Sequence, residues 1–345
     1  MTSSAPLFLA LEQLAAGESL SAAQCQEAVA AILDNQAPEA QTRAFLAALH
    51  QKGESADELL GAVRAIRQRM IAFDYGPAAG DRLDTCGTGG DGAETVNVST
   101  AAAIVLAACG VRVVKHGNRA ATGRSGSSDV LERLGVAVDV ETSVLRHCLD
   151  ELGIAFLFAP RFHPGLRGVA AVRRQLPFRT IFNLVGPLCN PASPTHQLVG
   201  VPGADQAGLM AEVLARADSI RRAVVVTGGD GLDEVTLDGP TRVRVIEPGT
   251  IRELVWGPDD FGLPRVQPSE LRISGPEASA DRLRRMLAGD PGPVRAIVLA
   301  NAAAALWTIS PGPLPALVNR AARAIDSKAA ARLVERWSEL TREGR

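Results

Sequence analysis

The residues with the most evident chemistry form a glycine-rich stretch at residues 84–91, which reads DTCGTGGD. Glycine lets a ligand approach the main chain closely, and its free backbone amides can bind an anion. Two hydroxyl side chains, Ser99 and Thr100, follow at the start of an apolar run that predicts a helix. Because a helix N-terminus presents unpaired N–H groups, these features predict a cradle for a highly phosphorylated small molecule.

A basic segment follows the β-branched run at residues 111–114, at the predicted end of a strand. Ligands of α/β proteins commonly bind at such strand ends. The positive charges would pair with phosphate oxygens, and the neutral polar groups would recognise a second substrate. A lone histidine is more often structural, but packing explains the whole group poorly. The group comprises Lys115, His116, Asn118, Arg119 and Arg124, followed by the hydroxyls of residues 125–128.

An acidic turn, DGLDE at residues 230–234, follows the apolar run at residues 223–226. Adjacent carboxylates repel one another unless a cation or solvent offsets their charge. Mg²⁺ suits this arrangement, since it binds one or two carboxylates together with substrate phosphates and waters. The alternative is an exposed acidic turn, and the spacing does not match an EF-hand loop.

Two common phosphate-binding motifs do not fit the glycine stretch. Residues 87–92 contain Gly-x-Gly-x-x-Gly, but the predicted helix begins only near Ser99, and Arg112 lies where an acidic residue is expected. A Walker A loop requires a lysine, and none lies between residues 83 and 114. The remaining alternatives are a plain glycine turn and hydroxyls that only cap the helix.

An arginine-rich segment at residues 173–187 mixes cations with an apolar run and reads RRQLPFRTIFNLVGP. An arginine in this segment could bind a carboxylate through two parallel hydrogen bonds. Taken by itself, a helix-to-helix turn with surface arginines explains the pattern better.

The composition indicates a folded protein with a full apolar core and no global charge bias. Hydrophobic residues make up 46% of the 345 residues, and 36 Lys and Arg balance 38 Asp and Glu. This balance argues against sequence-independent nucleic-acid binding, and the scarcity of aromatic residues argues against base stacking. The five cysteines are dispersed, no signal peptide is recognisable, and the longest apolar run is too short to span a membrane. We therefore expect a cytoplasmic protein without a membrane or nucleic-acid partner.

The first 76 residues are predicted to be helical, because no strand pattern appears there. Capping boxes at Ser21 and Ser55 precede apolar residues at helical spacing, and another helix covers residues 39–52 before Gly53. We predict a helical domain at residues 1–76. Residues 163–192 also contain helical but no strand patterns, and we expect them to pack against that domain.

Strands and helices alternate after residue 76, which predicts an α/β domain at residues 77–345 with a mostly parallel central sheet flanked by helices. Helices are predicted at residues 99–109, 128–134, 143–152, 280–308 and 313–340. Strands are predicted at residues 82–86, 111–114, 136–140, 154–158, 199–201, 223–227 and 243–246.

Five motifs follow one another over nearly the whole chain: GTGGD at residues 87–91, NVST at 97–100, KHGNR at 115–119, RTIFNL at 179–184 and DGLDE at 230–234. In this order they resemble the anthranilate phosphoribosyltransferase family. The resemblance implies a fold shared with pyrimidine nucleoside phosphorylases, the class II phosphoribosyltransferase type, and a homodimer formed through the helical domain. It implies transfer of the 5-phosphoribosyl group from 5-phosphoribosyl 1-diphosphate to the amine of anthranilate. The products would be N-(5-phosphoribosyl)anthranilate and pyrophosphate, on the route to tryptophan.

The resemblance also implies roles for individual residues. Mg²⁺ is the implied cofactor, with ligands at Ser99, Asp233 and Glu234. No general base is implied, because the amine of anthranilate is neutral at pH 7, and Lys115 would act electrostatically. Anthranilate contacts match Gly87, His116, Asn118 and Arg173. Phosphoribosyl diphosphate contacts match Gly87, Gly90, Asp91, Thr95, Asn97, Val98, Ser99, Thr100, Lys115, Arg119 and Ser127.

The chain departs from the family pattern at a few positions. Thr122-Gly123 stands where the family usually has Ser-Ser, and Pro177 or Phe178 stands where it has a glycine. Thr227 replaces a histidine, and Leu166-Arg167 replaces Met-Lys. These departures leave the acceptor open more than the reaction type. They therefore keep open transfer to a different aromatic acceptor. Pyrimidine nucleoside phosphorolysis, carried out on the same fold, is the other alternative activity. A non-catalytic nucleotide-binding protein is an alternative of another class, against which the Asp233-Glu234 pair argues.

Overall fold

The computed structural model describes residues 5–75, 80–120 and 125–343. The candidate cation Arg124 and the Thr122-Gly123 departure lie outside the described residues. The boundary expected between residues 76 and 77 lies outside them too.

The N-terminal region contains four helices: α1 (Ala5–Ala15), α2 (Ala22–Leu33), α3 (Glu39–Lys52) and α4 (Ala56–Arg69). Both predicted capping boxes are present, with Ser21 accepting from the Gln24 N–H and Ser55 from the Glu58 N–H. Helix α3 has the predicted bounds and ends at Gly53, whose φ of 87° favours glycine. The local capping chemistry therefore determined these helix ends.

Seven strands form one sheet: β1 (Leu83–Gly87), β2 (Val113–Gly117), β3 (Ile154–Phe158), β4 (His196–Gly200), β5 (Arg222–Gly228), β6 (Thr241–Glu247) and β7 (Thr250–Trp256). Their order is β3-β2-β1-β4-β5-β6-β7. Strands β1 to β5 are parallel, whereas β6 and β7 are antiparallel, which confirms the mostly parallel sheet. The chain leaves β1 toward β2 on one side and returns to β4 on the other. The carboxyl ends of β1 and β4 thus form the switch point where ligands of open α/β sheets bind.

Helices cover both faces of the sheet. The remaining elements are α5 (Val98–Ala108), α6 (Ser127–Arg133), α7 (Thr142–Leu152), α8 (Ala159–Phe162), α9 (Leu166–Arg174), α10 (Ala204–Leu214), α11 (Pro258–Phe261), α12 (Pro268–Leu271), α13 (Pro276–Leu287), α14 (Pro293–Ile309), α15 (Leu314–Asp326), α16 (Ala329–Glu343) and the 3₁₀ helices Ile181–Asn183 and Gly186–Cys189. One face of the sheet packs against α5 and α14, and α15 and α16 pack on these helices. The other face packs against α10, which also contacts α4 of the N-terminal region.

The segment between β3 and β4 packs largely against the N-terminal helices. Helix α9 contacts α2 and α3, and the two 3₁₀ helices contact α4. The ring of Phe178 stacks on His50 of α3, with ring centroids 4.3 Å apart. The apolar side chains Val169, Val172 and Phe182 share one buried cluster with α1 to α4.

Two strand predictions differ from the structure. The strand predicted at residues 136–140 is wrong: Val136, Val138 and Val140 are buried in irregular chain, so their alternation reflects packing without strand pairing. Strand β7 was not predicted, because its mixed charged and apolar residues lie at the sheet edge and six of the seven are not fully buried. The two long closing helices are each divided in two. Residues 288–292, which contain glycine and proline, separate α13 from α14, and Ser327 with Lys328, whose φ is 62°, separates α15 from α16.

Within the described ranges, no single helix is both long and apolar enough to cross a membrane. Helices α14 and α15 pass that test of length and composition jointly, but they meet at a bend of 115°. Helix α14 is buried along nearly its whole length against the sheet and its neighbouring helices.

Candidate active site

The glycine loop begins where β1 ends, at the switch point of the sheet. The Thr88 N–H donates to the Gly200 carbonyl oxygen at the end of β4, over 2.9 Å. Gly89 and Gly90 then have φ values of 69° and 79°, a conformation that favours glycine. A Cβ atom at Gly87 would overlap the carboxylate of Asp233. The loop therefore requires glycine both for its turn and for its close approach to the acidic residues.

The predicted acidic pair lies directly against this loop. Asp233 Oδ2 accepts from the Gly89 N–H over 2.7 Å, and Glu234 Oε1 accepts from the Ser99 N–H over 3.2 Å. Burial and the charge of Asp91 raise the pKa of Asp233, and burial and Asp233 raise the pKa of Glu234. The structure thus brings together carboxylates whose negative charges repel one another, which favours a cation beside them.

Lys115 lies in the middle of β2 with 2% of its surface exposed, so the basic segment begins within the strand and not after it as predicted. Its Nζ donates to the Thr85 carbonyl oxygen over 2.5 Å and to Ser99 Oγ over 3.3 Å. Its positive charge opposes the rise in the pKa of Glu234. Lys115 therefore joins the end of β1, the start of α5 and the acidic pair.

The first turn of α5 faces the same crevice. Asn97 is the N-cap residue, but its side chain makes no capping hydrogen bond and instead bonds Ser125 and Ser279. The hydroxyl of Thr100 is buried without a hydrogen-bond partner among the described residues. The hydroxyls of Ser99 and Thr100 therefore do not act as simple caps. Val98 is buried as the first residue of α5, and Thr95 forms an isolated antiparallel β-bridge with Arg272.

Three residues predicted to contact a substrate, two on the donor side and Asn118 on the anthranilate side, bond to one another or to neighbours outside the acidic pair. Arg119 forms an ion pair with Glu132 at 2.8 Å, and nearly half of its side-chain surface is exposed. The carbonyl of exposed Asn118 accepts from Ser127 Oγ over 3.3 Å and from the Ser128 N–H. Their roles in binding substrate stay predictions.

The predicted acceptor residue His116 lies on β2, beside Lys115 but facing the segment between β3 and β4. Its Nδ1 lies 3.2 Å from the Gly186 carbonyl oxygen, and its Nε2 has no partner among the described residues. The His163 ring is 5.0 Å away, centroid to centroid. Burial lowers the pKa of His116 to about 3 and that of His163 to about 4. Both imidazoles are therefore neutral at pH 7.

Arg173 lies in the last turn of α9, with its guanidinium 5.9 Å from the centroid of the Phe182 ring. Burial and the neighbouring charge of Arg179 lower its pKa. A partly buried guanidinium beside a second arginine is stabilised by a carboxylate. This placement agrees with the predicted role of Arg173 toward an anionic acceptor, although that role stays a prediction.

Sequence reasoning missed a buried polar network beneath the glycine loop. Asp84 of β1 is fully buried and accepts from Asn190 Nδ2 over 2.8 Å, from Gln197 Nε2 and from the His116 N–H. An acidic residue within an otherwise buried strand was the available signal. The contact between Arg179 and the Gly89 carbonyl was also not predicted, because it depends on the tertiary fold.

The structure shows what surrounds two of the departures from the family pattern. Phe178 stacks on His50, as described above, and Pro177 is exposed. Thr227 is buried near the end of β5, and its hydroxyl has no partner among the described residues.

Two carboxylates and one hydroxyl lie together and are the predicted oxygen ligands of a metal ion. Over the described part of the chain, no three His, Cys, Asp or Glu side chains form a ready-made metal cage. Mg²⁺ does not need such a cage, because it binds through one or two carboxylates together with substrate phosphates. The side chains of Ser99, Asp233 and Glu234 therefore fit Mg²⁺ that arrives with a diphosphate.

Comparison with protein-family models divides the chain into two known parts. Residues 79–331 match the α/β domain of a glycosyl transferase family, and residues 9–70 match the helical bundle domain of the same family.

Individual relatives are similar over nearly their whole length. Anthranilate phosphoribosyltransferase of Moorella thermoacetica is 46% identical, covering 93% of this chain and 94% of its own. Anthranilate phosphoribosyltransferase 2 of Streptomyces coelicolor is 45% identical, covering 93% and 96%.

Solved structures of such enzymes share the fold. The anthranilate phosphoribosyltransferase of Thermus thermophilus superposes with a TM-score of 0.88 and 37% identity, covering 96% of this chain and 99% of its own. The Saccharomyces cerevisiae enzyme in complex with PRPP and Mg superposes with a TM-score of 0.90 and 28% identity, covering 99% of both chains.

Proposed function

Because this chain belongs to the anthranilate phosphoribosyltransferase family, we propose that the crevice at the ends of β1 and β4 is its active site. The chain transfers the 5-phosphoribosyl group from 5-phosphoribosyl 1-diphosphate to the amine of anthranilate. The products are N-(5-phosphoribosyl)anthranilate and pyrophosphate, in the biosynthesis of tryptophan. The observation that carries the site proposal is the convergence of Asp233, Glu234 and the Gly89 amide at the switch point.

The reaction is a displacement at C1 of the ribose. The anthranilate nitrogen forms a bond to C1, the bond from C1 to the diphosphate oxygen breaks, and pyrophosphate leaves with that electron pair. The amine then releases one proton. Because the neutral amine is already a nucleophile, the enzyme mainly has to position both substrates and neutralise the leaving group.

The donor is proposed to bind through the glycine loop, the first turn of α5 and Lys115. The exposed backbone of Gly89 and Gly90 and the positive end of α5 suit a diphosphate. Ser99, Asp233 and Glu234 would hold Mg²⁺, which when bound supplies positive charge against the departing pyrophosphate. Lys115 adds a buried cation that hydrogen-bonds Ser99 Oγ. The other proposed donor contacts are Gly87, Gly90, Asp91, Thr95, Asn97, Val98, Thr100, Arg119 and Ser127.

Anthranilate is proposed to bind between β2 and the segment that follows β3. Arg173 would hold its carboxylate, and Asn118 with His116 would orient the ring and amine near Gly87. The neutral His116 ring can take part in a hydrogen bond without adding a charge, and its Nε2 is buried without a partner among the described residues.

A homodimer formed through the helical region is also proposed. Phe8 and Leu9 of α1 are large apolar side chains with 49% and 62% of their surfaces exposed. A second copy that covers them would remove apolar surface from water. A cytoplasmic location is proposed as well, and the five unpaired cysteines agree with a reducing compartment.

Loss of anthranilate fluorescence on addition of phosphoribosyl diphosphate tests the function directly. We expect turnover with Mg²⁺ and little turnover when the metal is chelated. Thymidine with inorganic phosphate serves as the control for a nucleoside phosphorylase. Release of thymine without any loss of anthranilate would reject the assignment.

A further inference from the structure

Arg179 belongs to a segment that is fixed to the N-terminal helices. Gln175 Nε2 donates to Glu39 Oε1 of α3 over 3.0 Å, and Gln175 Oε1 accepts from Arg43 Nη2 over 2.6 Å. Three residues later, the Phe178 ring lies nearly parallel to His50, at an interplanar angle of 8°. The hydrogen bonds of Gln175 and the stacking of Phe178 therefore both attach the chain just before Arg179 to α3.

From this anchor, Arg179 reaches the glycine loop of the α/β part. Its Nη1 donates to the Gly89 carbonyl oxygen over 2.7 Å, while the Gly89 N–H donates to Asp233 Oδ2 over 2.7 Å. Gly89 thus accepts a hydrogen bond from Arg179, on the segment that carries Arg173, and donates one to the proposed metal ligand Asp233. This chain of contacts connects the two halves of the site.

The fit between Arg179 and the loop is close. A Cβ atom at Gly90 would overlap the Arg179 guanidinium, independently of the positive φ at that position. Arg179 also carries the same charge as its neighbour Arg173, and the two repel. An anionic acceptor bound at Arg173 would offset that repulsion and favour the position of Arg179 on the loop.

Resting on the proposed function, we propose that Arg179 is a positioning residue that couples acceptor binding at Arg173 to the order of the donor loop at Gly89. Anthranilate then tightens binding of the diphosphate group, and the diphosphate tightens binding of anthranilate by the same factor. Arg179 acts through the Gly89 carbonyl, not through the reacting atoms.

Dead-end binding measures this coupling without turnover. The protein is titrated with pyrophosphate and Mg²⁺ in a calorimeter, with and without saturating anthranilate. Pyrophosphate and anthranilate cannot react with each other, so only binding is measured. In the wild-type protein we expect anthranilate to tighten pyrophosphate binding about threefold to tenfold, the effect of one charge-assisted hydrogen bond at an exposed position. Arg179→Ala should reduce that factor to about one, and Arg179→Lys should restore part of it, since lysine keeps the charge but not the planar geometry.

Steady-state kinetics separates positioning from general destabilisation. Arg179→Ala should raise KM for the phosphoribosyl donor about threefold to tenfold, with a smaller change in kcat. Arg167→Ala removes an exposed arginine from α9 of the same segment and should leave the coupling and both KM values unchanged.

The results distinguish this proposal from the function on which it rests. Absence of wild-type turnover would reject the function itself. Turnover in the wild-type protein without any coupling, or coupling that persists in folded Arg179→Ala, would overturn the role of Arg179 alone. If Arg179→Lys and Arg179→Ala reduced the coupling factor equally, the charge at position 179 would have no role in the coupling, which would also contradict the proposal.

Discussion

The donor and acceptor halves of the proposed site are built from different parts of the chain. The donor half consists of backbone amides and partly buried carboxylates in the turns that follow parallel strands, with Lys115 beneath them. The acceptor half consists of side chains from separate elements, with His116 on β2 and Arg173 on α9. The first half is positioned by main-chain hydrogen bonds of the sheet, and the second by packing of a long segment against the N-terminal helices.

This difference has a consequence for how each half tolerates change. Strand ends and glycine turns hold atoms in place through the main chain. Small changes there should therefore lower the rate with every acceptor. The acceptor half depends on a few side chains, so changes there should alter one substrate more than the other. The following substitutions test this contrast.

Glu234→Gln should produce the largest effect, because it removes charge from the donor half while keeping an acceptor for the Ser99 N–H. We expect kcat/KM for the phosphoribosyl donor to fall by about 10²–10³, typical of losing one preorganised electrostatic contact. Thermal unfolding without Mg²⁺ should show equal or greater stability, since a buried and repelled charge is lost. A variant that is less stable and equally active would contradict both assignments.

Gly87→Ala should be the next most damaging change. The new Cβ would displace the Asp233 carboxylate, and we expect kcat/KM for the donor to fall by about tenfold to a hundredfold. Gly186→Ala is the matched control on the acceptor side, where a Cβ meets no atom within 4 Å. Steady-state kinetics with both substrates varied should show little change for the control. Similar losses in the two variants would remove the distinction between the halves.

The donor half could be predicted from sequence because its chemistry lies in short contiguous motifs. Residues 87–91 and 230–234 each follow a strand, and parallel strands place their carboxyl ends at one edge of a sheet. The capping boxes at Ser21 and Ser55 likewise fixed helix starts from neighbouring residues alone. Local spacing was sufficient in each case.

The acceptor half and the sheet edges could not be predicted as fully. The contact from Arg179 to Gly89 joins residues 90 positions apart, and no local pattern specifies it. The false strand at residues 136–140 has the same origin, since alternating valines were buried by tertiary packing. Strand β7 was missed because an exposed edge strand does not need an apolar face. Long-range packing decided these features.

Arg173→Ala should separate the two substrates. Loss of a carboxylate-binding guanidinium should raise KM for anthranilate by about tenfold or more and KM for the phosphoribosyl donor by less than about threefold. Arg174→Ala removes the exposed neighbouring arginine and serves as the control. Equal increases in both KM values would indicate that Arg173 supports the site generally and does not recognise the acceptor.

The smallest expected effect is an acid sensitivity that arises in the acceptor half. His116 and His163 have folded-state pKa values of about 3 and about 4, below the ordinary value of 6.5. Between pH 4 and 6.5 the unfolded chain therefore binds more protons, so the free energy of unfolding rises with pH through this window. Each histidine should cost about 1 kcal/mol of stability on acidification from pH 7.5 to 5.5.

Substitution isolates that contribution, because the donor carboxylates also titrate abnormally and the wild-type profile alone mixes both halves. Urea unfolding of His163→Gln at the two pH values should show a pH dependence smaller by about 1 kcal/mol than that of the wild-type protein. His147→Gln changes an exposed histidine and should keep the wild-type dependence. If His163→Gln and His147→Gln gave the same profile, the buried pair would not be neutral as inferred. His163 would then bind a proton in the folded protein at acidic pH, the acceptor half would gain a charge beyond that of Arg173, and its contrast with the donor half would weaken.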